Sequence, residues 1–103
     1  MILISGSLHI AAEQQDGILD AVATMVAASR EEPGCIDYAF SRDLVDPGIV
    51  RITERWQDVD ALKAHFAMPH MATFQAALGS VEITDREIFY MSGEQGAFEE
   101  LMG

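Results

Sequence analysis

Four stretches of this chain alternate apolar and polar residues with period two, and the stretches between the first and second and between the third and fourth have helical period. No other feature narrows the fold as much. In the first stretch Ile2, Ile4, Gly6, Leu8 and Ile10 share one face, and Leu3, Ser5, Ser7 and His9 share the other, which predicts a half-buried strand. Ile18, Val22, Met25, Val26 and Ser29 then form one stripe of an amphipathic helix, with Asp16 as its expected N-cap and Pro33-Gly34 as its stop. Ile36, Tyr38 and Phe40 alternate in a second strand. Asp46-Pro47-Gly48 is turn chemistry, and Val50, Ile52, Glu54 and Trp56 form one face of the returning strand, with Arg51, Thr53 and Arg55 on the other.

Asp58 is placed to cap a short helix with Val59, Leu62 and Phe66 as its stripe. Pro69 breaks that helix and starts another, in which His70, Phe74, Ala77 and Leu78 share a face. The last strand slips in phase: Val81 and Ile83 are in step with Phe89 and Met91, whereas Ile88 and Tyr90 belong to the opposite face. Either both faces are partly buried or a bulge intervenes. The order strand, helix, strand, strand, broken helix, strand is a split βαβ pattern, the α+β ferredoxin-like sandwich. Helices cover one face of such a sheet, so a homodimer packing sheet against sheet is expected for the other. Residues 1–92 form the expected single domain, and 93–103 a tail with Phe98, Leu101 and Met102 as one helical turn placed to dock on a neighbouring subunit.

At 103 residues, half of them apolar, the chain is one small domain with apolar surface to spare. Its net charge of −11 repels phosphate backbones and anionic bilayers, which argues against nucleic-acid and membrane partners. Cys35 is the only cysteine, so no internal disulfide and no cysteine-based metal site can form. No basic leader and no apolar segment of membrane-spanning length is visible, and a cytoplasmic location is expected.

The residues that could carry chemistry lie between Glu54 and Phe74. Glu54 sits beside Ile52 and Trp56 on the apolar face, where an unpartnered carboxylate is costly. It is either a structural pair, a general base, or the group that orients a histidine. His65 falls at the edge of the buried stripe, and His70 in a first helical turn whose dipole favours the neutral ring. Each is either a hydrogen-bonded packing residue or a proton acceptor. Trp56 is either core filler or a flat wall for an aromatic ring. The five-residue spacing of His65 and His70 crosses a proline and gives no metal-binding helix geometry, so no metal is expected. No serine or cysteine has the local setting of a nucleophile.

The segments EPGCIDY (Glu32–Tyr38), ERW (Glu54–Trp56) and ALKAHFAMPHMATF (Ala61–Phe74) together resemble the antibiotic biosynthesis monooxygenase domain family, which includes quinol monooxygenases. The resemblance spans about nine-tenths of the chain. It implies a dimeric α/β barrel, a pocket between sheet and helices in each subunit, and oxygenation of aromatic or quinol substrates without metal or prosthetic group. The chain contains no asparagine, and Phe74 falls where haem-degrading members place their ligand histidine. The resemblance therefore does not extend to haem, nor to an asparagine-assisted mechanism.

The expected activity is a cofactor-independent monooxygenase acting with molecular oxygen on a small aromatic, hydroquinone or polyketide-like substrate. His65 or His70 would be the proton acceptor, Glu54 the orienting carboxylate, and Trp56, Ile52, Phe66, Phe74 and Tyr38 the walls. Two alternatives stay open: an isomerase or lyase of a small carbonyl compound, for which Arg51, Arg55 and Arg86 are the available phosphate binders, and a non-catalytic dimeric module that binds a small molecule.

Overall fold

The structure, a computed structural model, describes residues 1–103. Strands β1 (Ile2–Ile10), β2 (Cys35–Arg42), β3 (Ile49–Trp56) and β4 (Ile83–Ser92) form one antiparallel sheet in the order β2-β3-β1-β4. Helices α1 (Ala12–Gln15), α2 (Leu19–Arg30), α3 (Val59–Phe66) and α4 (Pro69–Leu78) complete an open, ferredoxin-like α+β fold with one sheet face covered. No helix is long and apolar enough to cross a membrane.

Alternation decides which residues meet the helices. In β1 and β3 the register pairs Ile2 with Trp56, Ile4 with Glu54 and Gly6 with Ile52 on the covered face. Leu3, Ser5 and Ser7 meet Arg55, Thr53 and Arg51 on the open face. The α2 stripe packs as its spacing predicts: Ile18, Met25, Val26 and Ser29 are buried. Its start differs from the expected Asp16 cap. The short α1 and a 3₁₀ turn over Asp16–Ile18 precede it, and the Asp16 side chain caps nothing. Buried Gln15 fixes this entry by donating from Nε2 to the carbonyls of Ile10 (2.8 Å) and Pro47 (2.6 Å) while accepting from Arg42 Nε (2.8 Å).

Three further positions depart from the sequence reading, each for a physical reason. The register of β2 against β3 shifts between Cys35 and Asp37, so Ile36 bulges outward and is 51% exposed, and Cys35 takes its place opposite Trp56. In α3 the buried residues are Leu62 and His65, not Val59 and Phe66, because the helix rolls its imidazole toward a buried carboxylate. In β4 the phase slip is a bulge: Ile10 pairs with Ile83 and His9 with Asp85, leaving Thr84 as the extra residue. Neither face of β4 is buried within the chain. Ile88, Phe89, Tyr90 and Met91 all remain exposed.

Two glycines are required by close approach. Gly34, at φ +84°, carries the chain from α2 into β2, and a side chain there would meet Ala61 Cβ at 2.6 Å. At Gly6 an added Cβ would lie 2.5 Å from the Glu87 carbonyl oxygen and 2.8 Å from Ile88 Cγ1, so the missing side chain lets Ile88 fold over β1.

Candidate active site

Asp58 caps α3 as its position predicts, accepting from Ala61 N–H at 2.8 Å, and Pro69 starts α4. These two short helices bring His65 and His70 over the end of α2, where Glu32 precedes the Pro33-Gly34 turn. A single oxygen, Glu32 Oε2, accepts from both rings: His65 Nδ1 at 2.6 Å and His70 Nε2 at 2.9 Å. A carboxylate can only accept, so those two nitrogens carry the protons. In the tautomer that donates from Nδ1, His65 Nε2 is left to accept, and the Tyr38 hydroxyl lies 3.3 Å from it. Ser29 completes the set, its Oγ 3.4 Å from His70 Nε2 and donating to Met25 Sδ. The result is a chain of hydrogen bonds, Glu32 to His65 to Tyr38, in which each donor meets an acceptor.

Glu54 stands on the neighbouring strand, opposite Tyr38 in the β2–β3 register. Its Oε1 accepts from the Trp56 indole N–H at 2.9 Å. Burial holds the Glu54 carboxyl above the ordinary carboxylate range; the indole N–H and nearby His65 only partly offset this, and the Glu32 charge adds to it. Burial, followed by the charge on Glu54, likewise raises the Tyr38 phenol well above its usual value. Burial also pushes up the Cys35 thiol, as befits a small apolar packing residue rather than a nucleophile.

A cavity of about 250 Å³ opens between the sheet and helices α3 and α4, mostly apolar in lining. Of the residues singled out from the sequence, Tyr38, Ile52, Glu54, Phe66 and Phe74 line it. Trp56, His65 and His70 do not. Trp56 and His65 are sealed in the core with their rings 4.7 Å apart, and His70 reaches a separate surface recess beside α2. Glu32 and Gln75 were missed, and Arg86 was named only as a candidate phosphate binder. Glu32 lies 33 positions before His65, beyond the reach of any local spacing argument. Gln75 and Arg86 line the cavity from α4 and β4, and only the bulge in β4 sets Arg86 on that face. As a possible cation site, ligand atoms of Glu32, His65 and His70 lie within 4.8 Å of one another, yet they already satisfy each other as hydrogen-bond partners.

Comparison with known proteins adds to this geometry. The profile of the family described as antibiotic biosynthesis monooxygenase matches residues 1–77. A solved structure from Deinococcus radiodurans, a candidate antibiotic biosynthesis monooxygenase, is 30% identical with a TM-score of 0.84, covering 94% of this chain and 96% of that one. A candidate member from Caulobacter crescentus superposes equally well, with a TM-score of 0.84 at 22% identity over 91% of this chain and 90% of that one, a likeness of fold alone. An uncharacterized Synechocystis protein is 29% identical over 73 residues, 71% of this chain, and the chain spans half the length of that curated relative.

Proposed function

This chain belongs to the antibiotic biosynthesis monooxygenase family, and from that premise we propose that it is a cofactor-independent monooxygenase of a small hydroquinone or related aromatic, bound in the cavity beneath α3 and α4. The observation that carries the reading is the pairing of an apolar, ring-sized cavity with two proton-handling groups in its wall, Tyr38 and Glu54. An apolar cavity of about 150 Å³ holds benzene, so this larger one has room for one or two fused rings.

A hydroquinone supplies the electrons that oxygen needs once it loses a proton. One atom of O₂ enters the ring and the other leaves as water, so hydroquinone and O₂ give a hydroxyquinone and water. The quinol-to-quinone oxidation provides two electrons, and oxidation of one ring C–H provides two more. The protein's work is to hold the ring dry, take the first proton and return it to the departing oxygen. Glu54, its carboxyl raised by burial and so a stronger base than an exposed carboxylate, is the acceptor that meets the substrate. Tyr38 is its partner, held by His65, which Glu32 orients and His70 buttresses. Trp56 serves by fixing Glu54 through its indole N–H rather than by touching the ring.

The protein acts as a homodimer in this reading. Leu3, Phe89 and Met91 point from the uncovered sheet face, and an exposed apolar strand of this kind is what a second copy would cover.

Oxygen uptake with a panel of hydroquinones and polycyclic phenols, on metal-stripped protein, tests the activity. Uptake above autoxidation should fall about 100-fold or more in Glu54→Gln and also drop in Tyr38→Phe. Undiminished turnover in both variants would remove these residues from the chemistry. No uptake across the panel would favour the isomerase or binding alternatives.

A further inference from the structure

We infer that the substrate carries an anionic group, a carboxylate on an aromatic acid, and that Arg86 receives it at the end of the cavity remote from Glu54. The inference rests on the cavity being the substrate site proposed above. Four of the five arginines are occupied within the chain. Arg30 donates to the Tyr38 carbonyl (2.9 Å), Arg42 to Gln15 Oε1 (2.8 Å), Arg51 to Asp43 Oδ1 (3.1 Å) and Arg55 to Gln95 Oε1 (2.8 Å). The Arg86 guanidinium has no acceptor; only its backbone N–H is engaged, with Asp85 Oδ1. A planar fork of donors left free at the edge of an apolar cavity suits bidentate capture of a carboxylate.

Position supports the assignment. Arg86 pairs with Leu8 and Glu54 with Ile4, so the two stand four residues apart along β1, about 13 Å at the rise of a strand. Their long side chains reach in from the two ends, leaving a gap suited to a two-ring aromatic with a hydroxyl at one end and a carboxylate at the other. The neighbouring acids Asp85 and Glu87 fall on the opposite sheet face, in step with His9 and Ser7, so strand alternation leaves the arginine unneutralised on the cavity side. In a chain of net charge −11 such a cation also selects orientation, because a carboxylate placed at the Glu54 end meets like charge.

The test compares naphthol with hydroxynaphthoate, its carboxylated analogue, by calorimetric titration of the full chain, beside Arg86→Gln and Arg86→Lys. Hydroxynaphthoate should bind the native protein at least about ten-fold more tightly than naphthol, a difference of about 1.4 kcal/mol. In Arg86→Gln that ratio should collapse toward one with naphthol affinity unchanged, and Arg86→Lys should restore it in part. Equal affinities for the native protein, or a preference that survives Arg86→Gln, would overturn the anchor while leaving the cavity reading intact. Failure of both compounds to bind would instead overturn the cavity reading and this inference with it.

Discussion

Strands β3 and β4 flank the same central strand with the same antiparallel pairing, and they have opposite fates. In β3 every second residue from Ile52 is buried, through Glu54 to Trp56. In β4 only Ile83 is even half-buried, although Ile88, Phe89, Tyr90 and Met91 make a run as apolar as any in the chain. Backbone pairing is therefore not what buries a strand here. Helices α2, α3 and α4 lie over β2, β3 and the adjoining side of β1, and the hydrogen-bonded group around Glu32 locks them there. β4 has its ladder, and past Ile83 its helix-side face borders the cavity rather than packed side chains.

The largest effect should come from breaking that lock on the β3 side. His65→Ala leaves the Glu32 charge with a missing partner in a site where both side chains are nearly sealed, and should cost about 3–5 kcal/mol in urea unfolding. A loss below about 1 kcal/mol would mean that His70 alone satisfies Glu32 and that the lock is weaker than its burial suggests. Gly6→Ala strikes the seam between β1 and β4, where the new Cβ would collide with the Glu87 carbonyl and Ile88. The expected cost is about 1–3 kcal/mol, together with narrowing of the cavity that Ile88 lines.

Glu54→Gln should act in the opposite direction and depend on pH. Because the folded carboxyl titrates above its ordinary value of 4.5, ionised Glu54 weakens the fold at neutral pH, and the penalty fades as pH falls through the raised value. Thermal melts should show the variant more stable by a few degrees at pH 7, since Gln can still accept from Trp56, and the gain should vanish below the ordinary value. A gain that persists in acid would assign the effect to packing. The smallest effect on the fold should be in β4: Phe89→Ser with Met91→Ser should change the stability of the isolated chain by no more than about 0.5 kcal/mol. The same pair should halve the mass measured by light scattering if this face joins two copies.

The fold was largely legible because the period of two survives along β1 and β3 and the helical period along α2. Ile52, Glu54 and Trp56 could be set on one face, and the α2 stripe could be read to the residue. What escaped were features decided by a partner segment. The outward turn of Ile36 and the bulge at Thr84 are register shifts of a single residue, and a strand read alone does not reveal where its neighbour skips. The exchange of Phe66 for His65 on the buried side of α3 depends on Glu32, which arrives from another element. For the same reason the candidate site was half visible. The histidines and Glu54 stand out as polar residues on apolar faces, whereas the carboxylate that binds the two rings, and the arginine at the cavity's far end, acquire meaning only from the folded arrangement.

The single Glu32 oxygen shared by two imidazoles makes the protein its own gauge. The Nδ1 proton of His65 is enclosed by Trp56, Tyr38 and the carboxylate, so it exchanges with water only when α3 lifts from the sheet. The His70 Nε2 proton, on the same oxygen but at a ring partly open to solvent, reports α4 separately. Two far-downfield proton resonances, observable without labels or substrate, would thus record the seating of each helix and show which one yields first as a ligand enters.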